Sequence, residues 1–159
     1  MSEYFTNNRQ VIKGLAINTG TTGSPTWSNL CCASEITLGI DTESDDFYIF
    51  CDYVQRHLLS GINAQISTTL KVDAQNTGVT GILTRVQTAL TSGSLATLEN
   101  VEIKFDMLTG YSTNTLTYET YYATANMGID ELGGSAEGSA EIGVTFNING
   151  TVSTSAPSA

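Results

Sequence analysis

Apolar and polar residues alternate along three long stretches of this chain, and no other feature narrows its possible folds as much. From Gly61 to Asp73, one side carries Ile62, Ala64, Ile66, Thr68, Leu70 and Val72, and the other carries Asn63, Gln65, Ser67, Thr69 and Lys71. Between Ala140 and Val152, the residues Ala140, Ile142, Val144, Phe146, Ile148 and Val152 oppose Glu141, Thr145, Asn147, Asn149 and Thr151. Val101, Ile103, Phe105 and Met107 alternate with Glu102, Lys104 and Asp106. Successive side chains of extended backbone point to opposite faces, so this period of two marks strands with one face in a core and one in water. Weaker patterning predicts further strands at Val11–Ile17, Glu35–Ile40, Phe47–Gln55 and Leu116–Ala123.

One stretch follows a different period. Val79, Ile82, Leu83, Val86 and Leu90 are spaced for one side of a helix, with Thr77 or Thr80 as its N-cap and Gly93 as its stop. Elsewhere Gly, Ser and Thr punctuate the chain. Asn18–Pro25 reads as a loop, Asp41–Asp46 as an acidic turn and Asn126–Ser139 as a long glycine-rich connection. The expectation is one domain over residues 1–159: an antiparallel β-sandwich or barrel with one packed α-helix. Residues 1–10 form an N-terminal arm and residues 154–159 a flexible tail.

Charge is scarce. Only 14% of residues are charged while 40% are hydrophobic, and Thr, Ser, Asn and Gly fill the difference. Exposed strands of monomeric β-proteins usually carry guarding charges or prolines that stop them pairing with other chains. The faces Asn63–Thr69 and Thr145–Thr151 carry uncharged polar residues instead, which favours association between copies. A net charge of −10 with six basic residues cannot neutralise many phosphates, so tight nucleic-acid binding is excluded. No apolar run reaches the ~20 residues of a membrane-crossing helix. The N-terminal MSEYFTNNRQ has no signal-peptide pattern, and three cysteines with one adjacent pair make a poor disulfide framework. A reducing cytosol is the expected place of synthesis.

The search for chemistry comes back without a strong signal. Cys31, Cys32, Cys51 and His57 lack zinc spacing, and adjacent cysteines on a strand point apart. Asp41, Glu43, Asp45 and Asp52 occupy calcium-loop positions, but Asp46 stands where the loop needs glycine. His57 is the single histidine, and no exposed-nucleophile motif accompanies it. Gly133-Gly134-Ser135 neither follows a strand nor opens a helix, so it is a poor phosphate cradle. No catalytic, cofactor-binding or metal-ligating residues are assigned, and no enzyme activity is expected.

In order along the chain come an N-terminal strand, a Trp-containing segment leading to an alternating strand (Trp27 to Ile40) and an acidic turn. GINAQISTTLKVD, a short helix ending at a Gly turn, two more strands and the closing GGSAEGSAEIGVTFNINGTVS follow. This succession, from Val11 to Ser153, resembles the major tail (tail tube) proteins of long-tailed bacteriophages. The resemblance implies hexameric rings that stack into a hollow tube. Each subunit would give strands to a continuous β-barrel lining the lumen, with the helix outside and loops or terminal arms touching the next ring. It implies as partners further copies of the chain, a tape-measure protein, tail terminator and tail-tip proteins, and DNA passing through without specific binding. No membrane is implied, and the place is the virion tail, with assembly in the host cytoplasm. The charged face of the middle strands, Glu35, Glu102, Lys104, Asp106 and Glu119, is the expected lumen lining, where excess negative charge repels phosphate. The uncharged faces would lie outside or between subunits. Asp41, Glu43, Asp45 and Asp46, with Asp130, Glu131 and Glu137, are the expected inter-ring loops. Alternatives are a type VI secretion or contractile-tail tube, a β-sandwich binding module or adhesin marked by clustered aromatics, and an enzyme built around His57.

Overall fold

The structure is a computed structural model that describes residues 12–30, 33–48, 55–72, 75–112, 115–134 and 140–157. Seven strands and one helix follow in the order β1 (Ile12–Asn18), β2 (Trp27–Asn29), β3 (Ala33–Tyr48), β4 (Gln55–Lys71), α1 (Thr77–Ser92), β5 (Val101–Ser112), β6 (Thr115–Gly133) and β7 (Glu141–Ser153). All the pairings are antiparallel, and the strands form one sheet in the order β2-β1-β5-β6-β7-β4-β3. The sheet curls until β1 approaches β3, and its inner face encloses the core. This is the mainly β, single-helix architecture that the alternation predicts.

The three alternating stretches put most of the expected residues inside, while Ile62, Val72, Ala140 and Val152 are exposed. Ile66, Leu70, Ile103, Ile142, Val144 and Phe146 are all but fully buried, with Leu15 and Ile17 from β1 and Val79 and Ile82 from α1. Each such side chain contributes roughly 1.5–3 kcal/mol by leaving water. Thr68 is buried in the same row as Ile66 and Leu70, as its register requires.

The helix is capped one residue before Thr77, the first of the two expected caps. Asn76 is the N-cap, and its side-chain oxygen accepts from the Val79 amide at 3.0 Å. Gly93 ends the helix in the left-handed conformation, φ 69°, and donates its N–H to the Ala89 carbonyl. Leu90 continues the apolar spacing but is 77% exposed. Arg85 ties the helix to its surroundings: its guanidinium donates to the carbonyls of Thr97 (3.0 Å) and Asn18 (3.2 Å). On the solvent side, Thr84, Thr88 and Thr91 each donate their hydroxyl to the carbonyl four residues earlier, all at 2.9 Å.

Two expected loops are strand. Asp41–Asp46 continues β3, paired from Asp41↔Asn63 to Asp46↔His57, and β6 runs on through Asp130 and Glu131 to Gly133. Cross-strand bonding to a regular partner overrides the low strand propensity of Asp and Ser. The alternation in β7 is interrupted near its end, where Gly150 (φ 84°) lies in a register shift between Thr124↔Asn149 and Tyr122↔Ser153. The first eleven residues, Cys31, Cys32, Cys51, Asp52, Glu137 and the last two residues lie outside the described residues.

Two substitutions test this account. Asn76→Ala should cost about 1 kcal/mol through the lost cap, and Phe146→Ala about 3–5 kcal/mol through a core cavity. Denaturant midpoints at unchanged slope measure both.

Candidate functional site

The face of the sheet turned away from the core is an organised polar surface, and the register defines its rows. In the half formed by β2, β1, β5 and the first part of β6, Lys13 stands opposite Asp106, Glu102 opposite Thr124, Lys104 opposite Tyr122 and Asp106 opposite Thr120. In the other half, Lys71 stands opposite Glu141, Thr69 opposite Gly143, Ser67 opposite Thr145 and Gln65 opposite Asn147. Thr145 and Asn147 continue the rows to Gly128 and Asn126 of β6. The charged face of the middle strands and the uncharged faces of β4 and β7 are thus one face, bent around the molecule by the curl of the sheet.

The five expected lumen residues do not lie together on the sheet. Glu102, Lys104 and Asp106 share the outer face of β5, but Glu119 pairs with Met107 and so belongs to the inner side, with Phe105 and Tyr121. Its carboxylate accepts the Tyr121 hydroxyl at 3.3 Å. Loss of water, and then the charge of Glu119, push the Tyr121 phenol above its ordinary pKa. Glu35 is placed by register opposite Thr69, at the far side of the sheet from β5.

Glu102 is also engaged locally. It accepts from the Asn18 amide at 2.8 Å and from the Thr22 hydroxyl at 2.7 Å. The Asn18 side-chain oxygen, Oδ1, in turn accepts from the backbone amides of Gly20 (2.8 Å) and Thr26 (2.9 Å). The carboxylate therefore anchors the β1–β2 loop. Asp106 accepts from Thr120 at 2.6 Å and sits 2.9 Å from the point a Cβ on Gly14 would occupy. With φ 64°, Gly14 makes the bulge that moves β1 past this carboxylate.

Aromatic side chains gather on the same half. Trp27 of β2 meets Tyr122 of β6 with ring centroids 5.7 Å apart and planes tilted by 55°. The Lys104 ammonium lies 5.3 Å from the Trp27 ring, and that of Lys13 lies 3.9 Å from the Tyr118 ring. Ala16, opposite Lys104, is fully buried although its register puts it on this outer face. This cluster was not legible in the sequence, where Trp27 and Tyr122 are far apart and no periodicity links them.

The other half differs in chemistry. Asp41, Glu43, Asp130, Glu131 and Glu141 lie among Asn63, Gln65, Ser67, Thr145 and Asn147. Asn63 donates to Glu43 at 3.0 Å, Thr145 to Asp130 at 2.5 Å, and Lys71 pairs with Glu141.

The third element is an arm. β4 bonds to β7 only from Gln65 to Lys71, whereas the β3–β4 ladder continues to Tyr48↔Gln55. Beyond Gln65 the two strands pair only with each other among the described residues. Their inner row continues the core outward: Ile36 and Leu38 pack against it, but Ile40 is 56% and Ile62 70% exposed. Among the described residues, no three His, Cys, Asp or Glu side chains converge as metal ligands would.

Solved structures share this architecture. A chain of the virion of the native gene transfer agent particle matches with a TM-score of 0.54 at 14% identity, over 88% of this chain and 94% of that one. A chain of the SPP1 tail tube matches with a TM-score of 0.54 at 13% identity, over 87% and 73%. A chain of the PVC sheath-tube complex of an extracellular contractile injection system, in its extended state, matches with a TM-score of 0.50 at 11% identity, over 96% and 95%. No protein-family model and no curated protein sequence matches the chain. The fold is tail-tube-like, with one curled seven-stranded sheet and one helix.

Removing the loop anchor gives a direct check. Glu102→Ala leaves Asn18 and Thr22 without their charged acceptor and should cost about 1.5–3 kcal/mol in unfolding free energy. A change within about 0.5 kcal/mol, the range of an ordinary surface site, would contradict the anchoring role.

Proposed function

We propose that this chain is the structural subunit of a phage-type tail tube, polymerising as stacked rings around a channel. The observation that carries the reading is the β3–β4 arm. Ten residues of β4, Gln55–Ala64, extend beyond its pairing with β7, a reach of roughly 30 Å at about 3.3 Å per residue. A two-stranded ribbon is marginal alone in water, and this one shows Ile40 and Ile62 to solvent. Both costs vanish if the arm lies against a second copy, so the arm is the contact between successive subunits. Asp41, Glu43, Asp45 and Asp46 then act from strand positions on the arm rather than from a loop. Asp130 and Glu131 belong to the sheet face. The tail-tube-like fold shared with the SPP1 structure supports the same reading.

The role is structural and requires no bond to be made or broken. Rings of six, a tape-measure protein, terminator and tip proteins, and DNA in transit complete the proposal, with the virion tail as the final location and the host cytoplasm as the place of assembly. The likeness to a chain of the PVC sheath-tube complex favours, as a second reading, the tube of a contractile system. A sheath that binds the assembled tube would distinguish the two.

Sedimentation and negative-stain microscopy of concentrated protein test the proposal. The expected result is hollow filaments. Ile62→Glu should leave unfolding within about 0.5 kcal/mol of wild type, because the site is exposed. It should also raise the concentration needed for assembly about tenfold or more, equivalent to at least about 1.4 kcal/mol per contact. Dispersed monomers from wild type and variant alike would sink the reading.

A further inference from the structure

The outer face of the sheet has two chemically different halves, and we infer that the half made by β3, β4, β7 and the end of β6 is the wall of the channel. The inference rests on the tube reading above and reassigns the lining away from Glu102, Lys104 and Asp106. A wall along which a polyanion moves must offer its phosphates few cations and its bases few rings. Phosphate is held by lysine and arginine, and bases stack on aromatic side chains at about 1–3 kcal/mol each.

The β2-β1-β5-β6 half has both adhesive elements. Lys13 and Lys104 stand over Tyr118 and Trp27, and Tyr122 completes the cluster. Its two carboxylates, Glu102 and Asp106, are balanced in number by Lys13 and Lys104 on the same face. The β3-β4-β7 half has neither element among its described side chains except Lys71, which is paired with Glu141. What remains is four carboxylates, Asp41, Glu43, Asp130 and Glu131, set among amides and hydroxyls. Repulsion from such charges reaches about 8 Å at physiological salt, so it acts only on a polymer passing close by. Strand length points the same way. β3, β4 and β7 have 16, 17 and 13 residues, against 7 for β1, 3 for β2 and 12 for β5, while β6 with 19 runs through both halves. Long strands are needed to line a passage without a break.

The test adds cations to each half and asks where DNA is held. Gln65 and Asn147 are exposed partners across β4 and β7, while Thr120 is on the opposite half. Filaments of wild type, of the double variant Gln65→Lys/Asn147→Lys and of Thr120→Lys are incubated with a short fluorescent duplex and then treated with nuclease. The expected result is a nuclease-resistant fraction at least about tenfold above wild type for the double variant, lost at high salt. Thr120→Lys filaments should hold only duplex that the nuclease removes. Protection by Thr120→Lys, or nuclease-sensitive binding by the double variant, would overturn the assignment while leaving the tube intact. Retention no greater than wild type by the double variant would overturn it as well. If wild type forms no filaments, the tube reading fails and the wall with it.

Discussion

A strand has two edges of backbone donors and acceptors, and each edge must find partners in protein or water. Most of this molecule obeys that rule internally: β1, β5, β6, β7 and β4 each lie between two neighbours in one sheet. The rule is strained where β3 and β4 outrun the sheet. The ladder between them is regular to Tyr48↔Gln55, with shifts only near Ala33 and Glu43, yet no third strand among the described residues accompanies its far half. The apolar row of the core continues onto that half without a core beneath it. Backbone pairing and hydrophobic burial thus fall short at the same place. An arrangement that satisfies both from one neighbour is the economical solution.

The same sheet separates two kinds of surface without a domain boundary. Because it curls until β1 nears β3, a single continuous face can look in different directions at its two ends. One end is studded with rings and ammonium groups whose charges are locally matched. The other is a field of amides and hydroxyls with surplus carboxylate. A net charge of −10 is therefore unevenly presented, and the unevenness follows the strand order.

How much of this could be read from the residues alone depended on how local the cause was. The period-two stretches located β4, β5 and β7, and Gly93 ended the helix, because side-chain alternation and left-handed backbone are properties of one segment. The strand through Asp41–Asp46 was missed because its stability comes from the opposite strand, Leu58 and His57 included, and not from its own propensities. Glu119 was placed on the wrong face because its orientation depends on the β5–β6 register, which sets it against Met107 rather than Asp106. Asn76 caps the helix where Thr77 or Thr80 was expected, since all three are good capping residues and the first turn, at Gly78, packs against Leu30 and the β2 end. The Trp27–Tyr122 contact needed the strand order itself.

The threonines of α1 have an effect that their polarity conceals. A hydroxyl has one proton to give, and Thr84, Thr88 and Thr91 have given theirs to the helix backbone. What they turn outward is a methyl group and oxygen lone pairs, on a helix whose single cation, Arg85, is turned back onto carbonyls. These three hydroxyls can receive hydrogen bonds but no longer offer them, and the flank has no ion to be screened. Whatever touches it will feel contact area and shape, and will respond little to the saltiness of the medium.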